Sequence, residues 1–78
     1  MEDLLLTLAR GLVEDPDSVR VTADEPDEDG IVAYHLHVNE NDMGRVIGKQ
    51  GKIAKAIRTV VRAAAMREHQ KISIDIEE

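Results

Sequence analysis

The sequence predicts an α+β domain with its elements in the order α-β-β-α-α-β, in which a three-stranded sheet carries the helices on one face. Three observations lead there. Apolar residues recur at the helical period near both ends of the chain, three other runs alternate strictly, and 78 residues suffice for one modest core and no second domain, so residues 1–78 are read as a single unit.

Leu4, Leu5, Leu8, Leu12 and Val13 place a first helix over about residues 3–14, stopped by Asp15-Pro16, because proline disfavours the α region in the residue before it. From Ser18 an alternation sends Val19, Val21 and Ala23 to one face and Arg20 and Thr22 to the other, which is a half-buried strand. Asp24-Glu25-Pro26-Asp27-Glu28-Asp29-Gly30 is too acidic and too rich in turn residues for an element interior and suits a hairpin loop. A second strand follows, with Val32, Tyr34, Leu36 and Val38 toward the core and Ile31, Ala33, His35 and His37 away from it. Asn39, Asn41 and Asp42 offer caps to a short helix ending at Ile47 and halted by Gly48. A long helix from Lys52 to about Gln70 puts Ile53, Ile57, Val60 and Ala64 on a core stripe, flanked by Ala56 and Val61. Lys71 to Glu77 alternates again, with Ile72, Ile74 and Ile76 inward.

Composition excludes several functions. Without cysteine there is no disulfide, thiolate nucleophile or cysteine zinc site. Met1-Glu2-Asp3 is no basic leader, and Arg10 arrives too soon for a membrane span, so a cytoplasmic protein without membrane attachment is expected. The net charge of −6 opposes a polyanionic ligand, yet the charge is unevenly spread. Residues 44–71 hold Arg45, Lys49, Lys52, Lys55, Arg58, Arg62, Arg67 and Lys71 against Glu68 alone, a sum of +7, which leaves −13 elsewhere. One face can therefore attract phosphate while the rest repels it.

The chemistry centres on Gly48-Lys49-Gln50-Gly51, set between two expected helices. Two glycines permit a sharp turn and let a polymer backbone come close. Loop N–H groups, and those opening the helix at Lys52, would face an incoming phosphate with the helix dipole behind them. Lys49 and Lys52 add charge, Arg45 and Lys55 extend the track, and Val46 and Ile47 would wall an apolar groove for bases. A bare G-x-x-G more often marks a helix cap, but the preceding apolar pair, the isoleucine after it and the surrounding cations agree on binding.

The run Gly44-Arg45-Val46-Ile47-Gly48-Lys49-Gln50-Gly51-Lys52-Ile53 resembles the V-I-G-x-x-G-x-x-I core of KH domains, and the element order resembles the type II, prokaryotic arrangement. Tyr34-His35-Leu36, Asp42-Met43-Gly44 and Ala56-Ile57-Arg58-Thr59 extend the likeness toward the stand-alone KH proteins of bacteria. The resemblance implies single-stranded RNA as the partner, about four nucleotides being clamped with Gly48 and Gly51 against the backbone and Lys49 and Gln50 facing phosphates. It also implies a homodimer, a heteromer with a larger KH-containing protein, and a role as RNA chaperone or post-transcriptional regulator of growth and cell shape, with no cofactor. Tyr34 is the sole aromatic and points inward, so bases cannot stack on a ring platform and one copy should bind weakly.

Other readings carry less weight. His35 and His37 share a strand face, but the sequence places no third metal ligand, so they read as exposed sheet histidines. The acidic loop lacks the glutamate a calcium loop needs at its twelfth position, where Leu36 stands. Gly44 to Lys49 is one residue short of a phosphate-binding P-loop, and Gln50 replaces its Ser or Thr. No nucleophile and base lie at a catalytic spacing, so an enzyme is not expected. The rival is a protein-interaction module whose basic helix docks an acidic partner, with Thr59, Ala63 and Met66 as a possible dimer seam.

Overall fold

The computed structural model describes residues 1–77, and within them every side chain except that of Lys49. Helix α1 (Glu2–Leu12) leads through a 3-10 turn at Pro16–Ser18 to β1 (Arg20–Ala23), then come β2 (Ile31–His37), α2 (Glu40–Arg67) and β3 (Lys71–Glu77). The strands lie in the order β1-β2-β3, with β1 antiparallel and β3 parallel to the central β2. A parallel neighbour cannot be reached by a tight turn, and α2 supplies the crossover.

Helices cover one sheet face, as the single apolar set per strand predicts. Tyr34 and Leu36 of β2 pair with Ile74 and Ile76 of β3 across that face, and they join Leu5 and Ala9 of α1, Ile57 and Val61 of α2, Val19 and Val38. Three isoleucines do point inward from β3, Ile74 buried and Ile72 and Ile76 partly buried.

The two helices expected around Gly48–Gly51 form one helical element, Glu40–Arg67. The joint is nonetheless present, because Gln50 (φ 64°) and Gly51 (φ 69°) both adopt left-handed backbone inside it. A right-handed helix does not propagate through such residues, so the chain changes direction there. The buried stripe beyond the joint is Ala54, Ile57, Val61 and Ala65, whereas Val60 is 45% exposed, Ala56 is exposed and Ala64 only half-buried. Both stripes pass through Ile57, and hydropathy does not choose between them because alanines supply half of the buried one.

The helix ends at Arg67, three residues before the expected stop. His69 takes φ 57°, its N–H donates to the Met66 carbonyl at 3.1 Å, and the Gln70 N–H donates to that of Ala65 at 2.9 Å. This is a Schellman closure with histidine where glycine is usual.

The acidic loop is held firmly by one of its own carboxylates. Asp27 Oδ1 accepts from the N–H groups of Asp29 (2.8 Å) and Ile31 (2.9 Å), while Gly30 turns with φ 79°. On the uncovered sheet face, His35 is no free histidine: Nε2 lies 2.9 Å from Asp24 Oδ2 and Nδ1 lies 2.6 Å from Glu77 Oε2. Those hydrogen bonds, Asp24 first, raise its pKa to about 9.

The link from α1 to β1 responds to acid. Ser18 Oγ (2.7 Å) and Asn39 Nδ2 (2.9 Å) donate to Asp15 Oδ2 and hold that carboxyl below its ordinary 3.8. A pKa lower in the folded than in the unfolded chain gives stability that is present above about pH 4 and lost as pH falls through the folded value. Ser18→Ala should therefore move the acid-unfolding midpoint upward, read by circular dichroism, with little change at neutral pH beyond the lost hydrogen bond.

Candidate nucleic-acid interface

The site is built on the first half of α2, and its position is fixed by polar contacts at the helix start. Asn39 caps the helix by accepting from the Asn41 N–H at 2.8 Å. One turn on, Asp42 is only 2% exposed, and its two oxygens accept from the N–H groups of Glu14 (3.0 Å) and Asp15 (3.1 Å). A buried carboxylate thus satisfies two backbone donors just past the end of α1 and ties that segment to the helix bearing the loop.

Past this anchor the residues of the expected site divide. Val46 is fully buried, so it secures the helix and cannot wall a groove for bases, contrary to the sequence reading. Val46 stands one turn past Asp42 on the same buried face of the helix. Ile47, its neighbour, is 55% exposed and remains available to a ligand. Gly44, Arg45, Gly48, Lys52 and Ile53 line an open groove beside the loop. Gly44 and Ile53 were not among the expected site residues, although both lie in the run that carries the family likeness. Lys55 sits further along the exposed side of α2, outside the groove lining, and Gln50 is exposed on the turn itself. The Lys49 side chain lies outside the described residues.

The glycines have different duties. Gly51 has positive φ, so the turn requires it. Gly48 has no such backbone constraint, and a Cβ built there would meet nothing within 4 Å. Gly11 and Gly44 share that freedom, and of the three Gly44 and Gly48 line the groove.

The left-handed Gln50 and Gly51 interrupt the right-handed backbone just before Lys52. Side chains supply positive charge beside that joint. Arg45 Nη2 pairs with Glu14 Oε1 in the free protein, and both groups are well exposed, so the pair is weak and open to exchange. Among the described residues no ion pair involves Lys52 or Lys55.

Comparison with known proteins follows the same outline. The family model described as the KH domain of KhpA/KhpB matches residues 2–76. The RNA-binding protein KhpA of Listeria monocytogenes is 47% identical over 76 residues, 97% of this chain and 97% of the relative. That of Bacillus subtilis is 43% identical, over 97% and 91%. Among solved structures, Era in complex with MgGDPNP and nucleotides 1506–1542 of 16S ribosomal RNA superposes with a TM-score of 0.64 at 17% identity, over 97% of this chain and 28% of that one. Aquifex aeolicus Era bound to GDP·AlF4⁻ gives 0.69 at 19%, over 97% and 29%. Identities this low speak for the shared KH-like fold alone, whereas the family match spans nearly the whole chain. The chain belongs to the KhpA/KhpB family of KH domains.

Proposed function

We propose that the chain is a single-stranded RNA-binding protein that holds about four nucleotides along the groove beside Gly48–Gly51. The observation that carries this reading is Gly48: a glycine the fold does not need, at the edge of an open groove lined by Arg45 and Lys52. A bare Cα lets a sugar-phosphate backbone lie against the helix, and the flanking cations neutralise it. Ile47 and Ile53 supply apolar contact to bases, and Lys49, Gln50 and Lys55 extend the track. The relatives' name, RNA-binding protein, supports RNA over DNA. The role is binding without catalysis, in post-transcriptional regulation or as an RNA chaperone in the cytoplasm.

Phosphate-driven binding has a salt signature. In fluorescence anisotropy with short single-stranded RNAs, the log of the affinity should fall with log salt at a slope of about −2 to −3, for three or four phosphates at about −0.7 each. A slope near zero would reject the clamp.

A second reading, a homodimer or a heteromer with a larger KH-containing protein, draws on a specific surface. Thr59, Val60, Ala63, Ala64 and Arg67 line a shallow depression on the outer side of α2, and Met66 beside it is 75% exposed. Pairing two weak RNA sites would raise affinity through effective concentration. Met66→Asp should then lower the sedimentation mass to that of one chain while the groove stays intact, and an unchanged mass would reject this seam.

A further inference from the structure

We propose that the uncovered face of the sheet carries a divalent transition-metal site, with His35, Asp75 and Glu77 as ligands and Asp24 holding the imidazole from behind. His35 and Asp75 are direct register partners on β2 and β3, and Glu77 follows two residues along β3 on the same face. One donor atom from each of the three lies within 4.8 Å of the others. The sequence offered two histidines and no third ligand; the parallel register supplies two carboxylates from 40 residues away or more.

Three features fit an ion there. The first is geometry. An ion bound at about 2.1 Å to imidazole nitrogen and carboxylate oxygen sets its ligands roughly 3.3 Å apart. His35 Nδ1 is 2.6 Å from Glu77 and 3.9 Å from Asp75, distances that bracket that spacing, so small side-chain rotations complete the site. The second is orientation. A metal-bound histidine ordinarily gives its other N–H to a carboxylate, which fixes the tautomer and strengthens the donor. Asp24 already lies 2.9 Å from Nε2 and leaves Nδ1 toward the two acids of β3. The third is charge. Among the described residues, Asp24, Asp75 and Glu77 have no ionic partner but His35, so three carboxylates against one imidazolium leave two negative charges. A divalent cation that takes the place of the Nδ1 proton, which passes to solvent, meets three carboxylates and a neutral imidazole and so reduces that excess from two negative charges to one.

One imidazole with two carboxylates suits Zn²⁺, Co²⁺ or Ni²⁺ better than Ca²⁺ or Mg²⁺, and three protein ligands leave a position for water. The site faces away from α2, so it is independent of the RNA groove.

The test is titration of the full chain with Zn²⁺ by calorimetry, and with Co²⁺ by visible absorption, in a non-chelating buffer. One ion per chain is expected. His35→Gln should abolish binding, and Asp24→Asn should weaken it by about tenfold to a hundredfold. Asp75→Asn is the decisive variant: at 3.9 Å its carboxylate makes no hydrogen bond to His35 in the free protein, so the metal-free melting temperature should hold while affinity drops by about tenfold or more. His37→Gln should bind normally. No saturable binding below millimolar Zn²⁺, binding indifferent to His35→Gln and Asp75→Asn, or loss on His37→Gln would overturn the site.

Discussion

Asp42→Ala should cost about 3 kcal/mol of stability, more than any other single polar change in the molecule, although the residue does not line the groove. Its two oxygens accept from consecutive N–H groups, those of Glu14 and Asp15, in a site only 2% exposed. Removing the carboxylate leaves both donors without their partners in a partly buried segment, and each such loss costs about 1–3 kcal/mol. For a domain of this size that corresponds to a melting temperature roughly 12–24 °C lower, measured by thermal circular dichroism. Asp42→Asn should fall between, because one oxygen remains to accept from one N–H while the amide presents a donor to the other. Equal loss in both variants would mean that charge, and not acceptor count, carries the contact. An Ala variant within 1 kcal/mol of wild type would show that the segment after α1 does not depend on this anchor.

Asp42 also marks where the sequence ceased to be legible. The strands were readable because alternation is a local property: Val32, Tyr34, Leu36 and Val38 face the helices as their period requires, and β2 and β3 begin at the expected residues. The turn at Gly51 was readable because positive φ selects glycine. Long-range geometry was hidden. Asp42 looked like a cap residue, and nothing local reveals that it reaches the backbone 27 and 28 residues earlier. Val46 looked like a groove wall because its exposure depends on how α2 lies on the sheet. The phase of the helix stripe slipped because Ala54 and Ala65 carry too little hydropathy to outweigh Val60 and Ala64. Of the binding residues expected from sequence, Arg45, Gly48 and Lys52 meet at one groove, Val46 is withdrawn into the interior, and Lys55 stands apart along the helix. The carboxylates around His35 stayed invisible for the same reason as Asp42, since β3 is adjacent to β2 only through the crossover.

The loop itself gives the sharpest functional outcome. The double change Lys49→Asp and Gln50→Asp should weaken RNA binding by about a hundredfold. It removes one cation and adds two anions where phosphates would lie, and two contacts worth about 1.4 kcal/mol each amount to that factor. The fold should survive. Gln50 is exposed and already left-handed, a conformation that aspartate adopts more readily than most residues, so the change relieves local strain. Gly48→Ala then separates two explanations for the same loss. With no positive φ at Gly48 and open space where its Cβ would stand, alanine should leave stability unchanged or raise it by about 0.5–1 kcal/mol, as for glycine to alanine within a helix. RNA affinity should nevertheless fall by about tenfold, because the added methyl holds the sugar-phosphate backbone away from the helix and from Arg45 and Lys52. Gly51→Ala behaves oppositely: at φ 69° the new side chain strains the turn, so affinity and stability fall together. Anisotropy and thermal melting on the same three proteins read both quantities. If Gly48→Ala binds RNA as the wild type does, close backbone approach at Gly48 is not how this groove works, and the exposed strip around Met66 becomes the better account of α2.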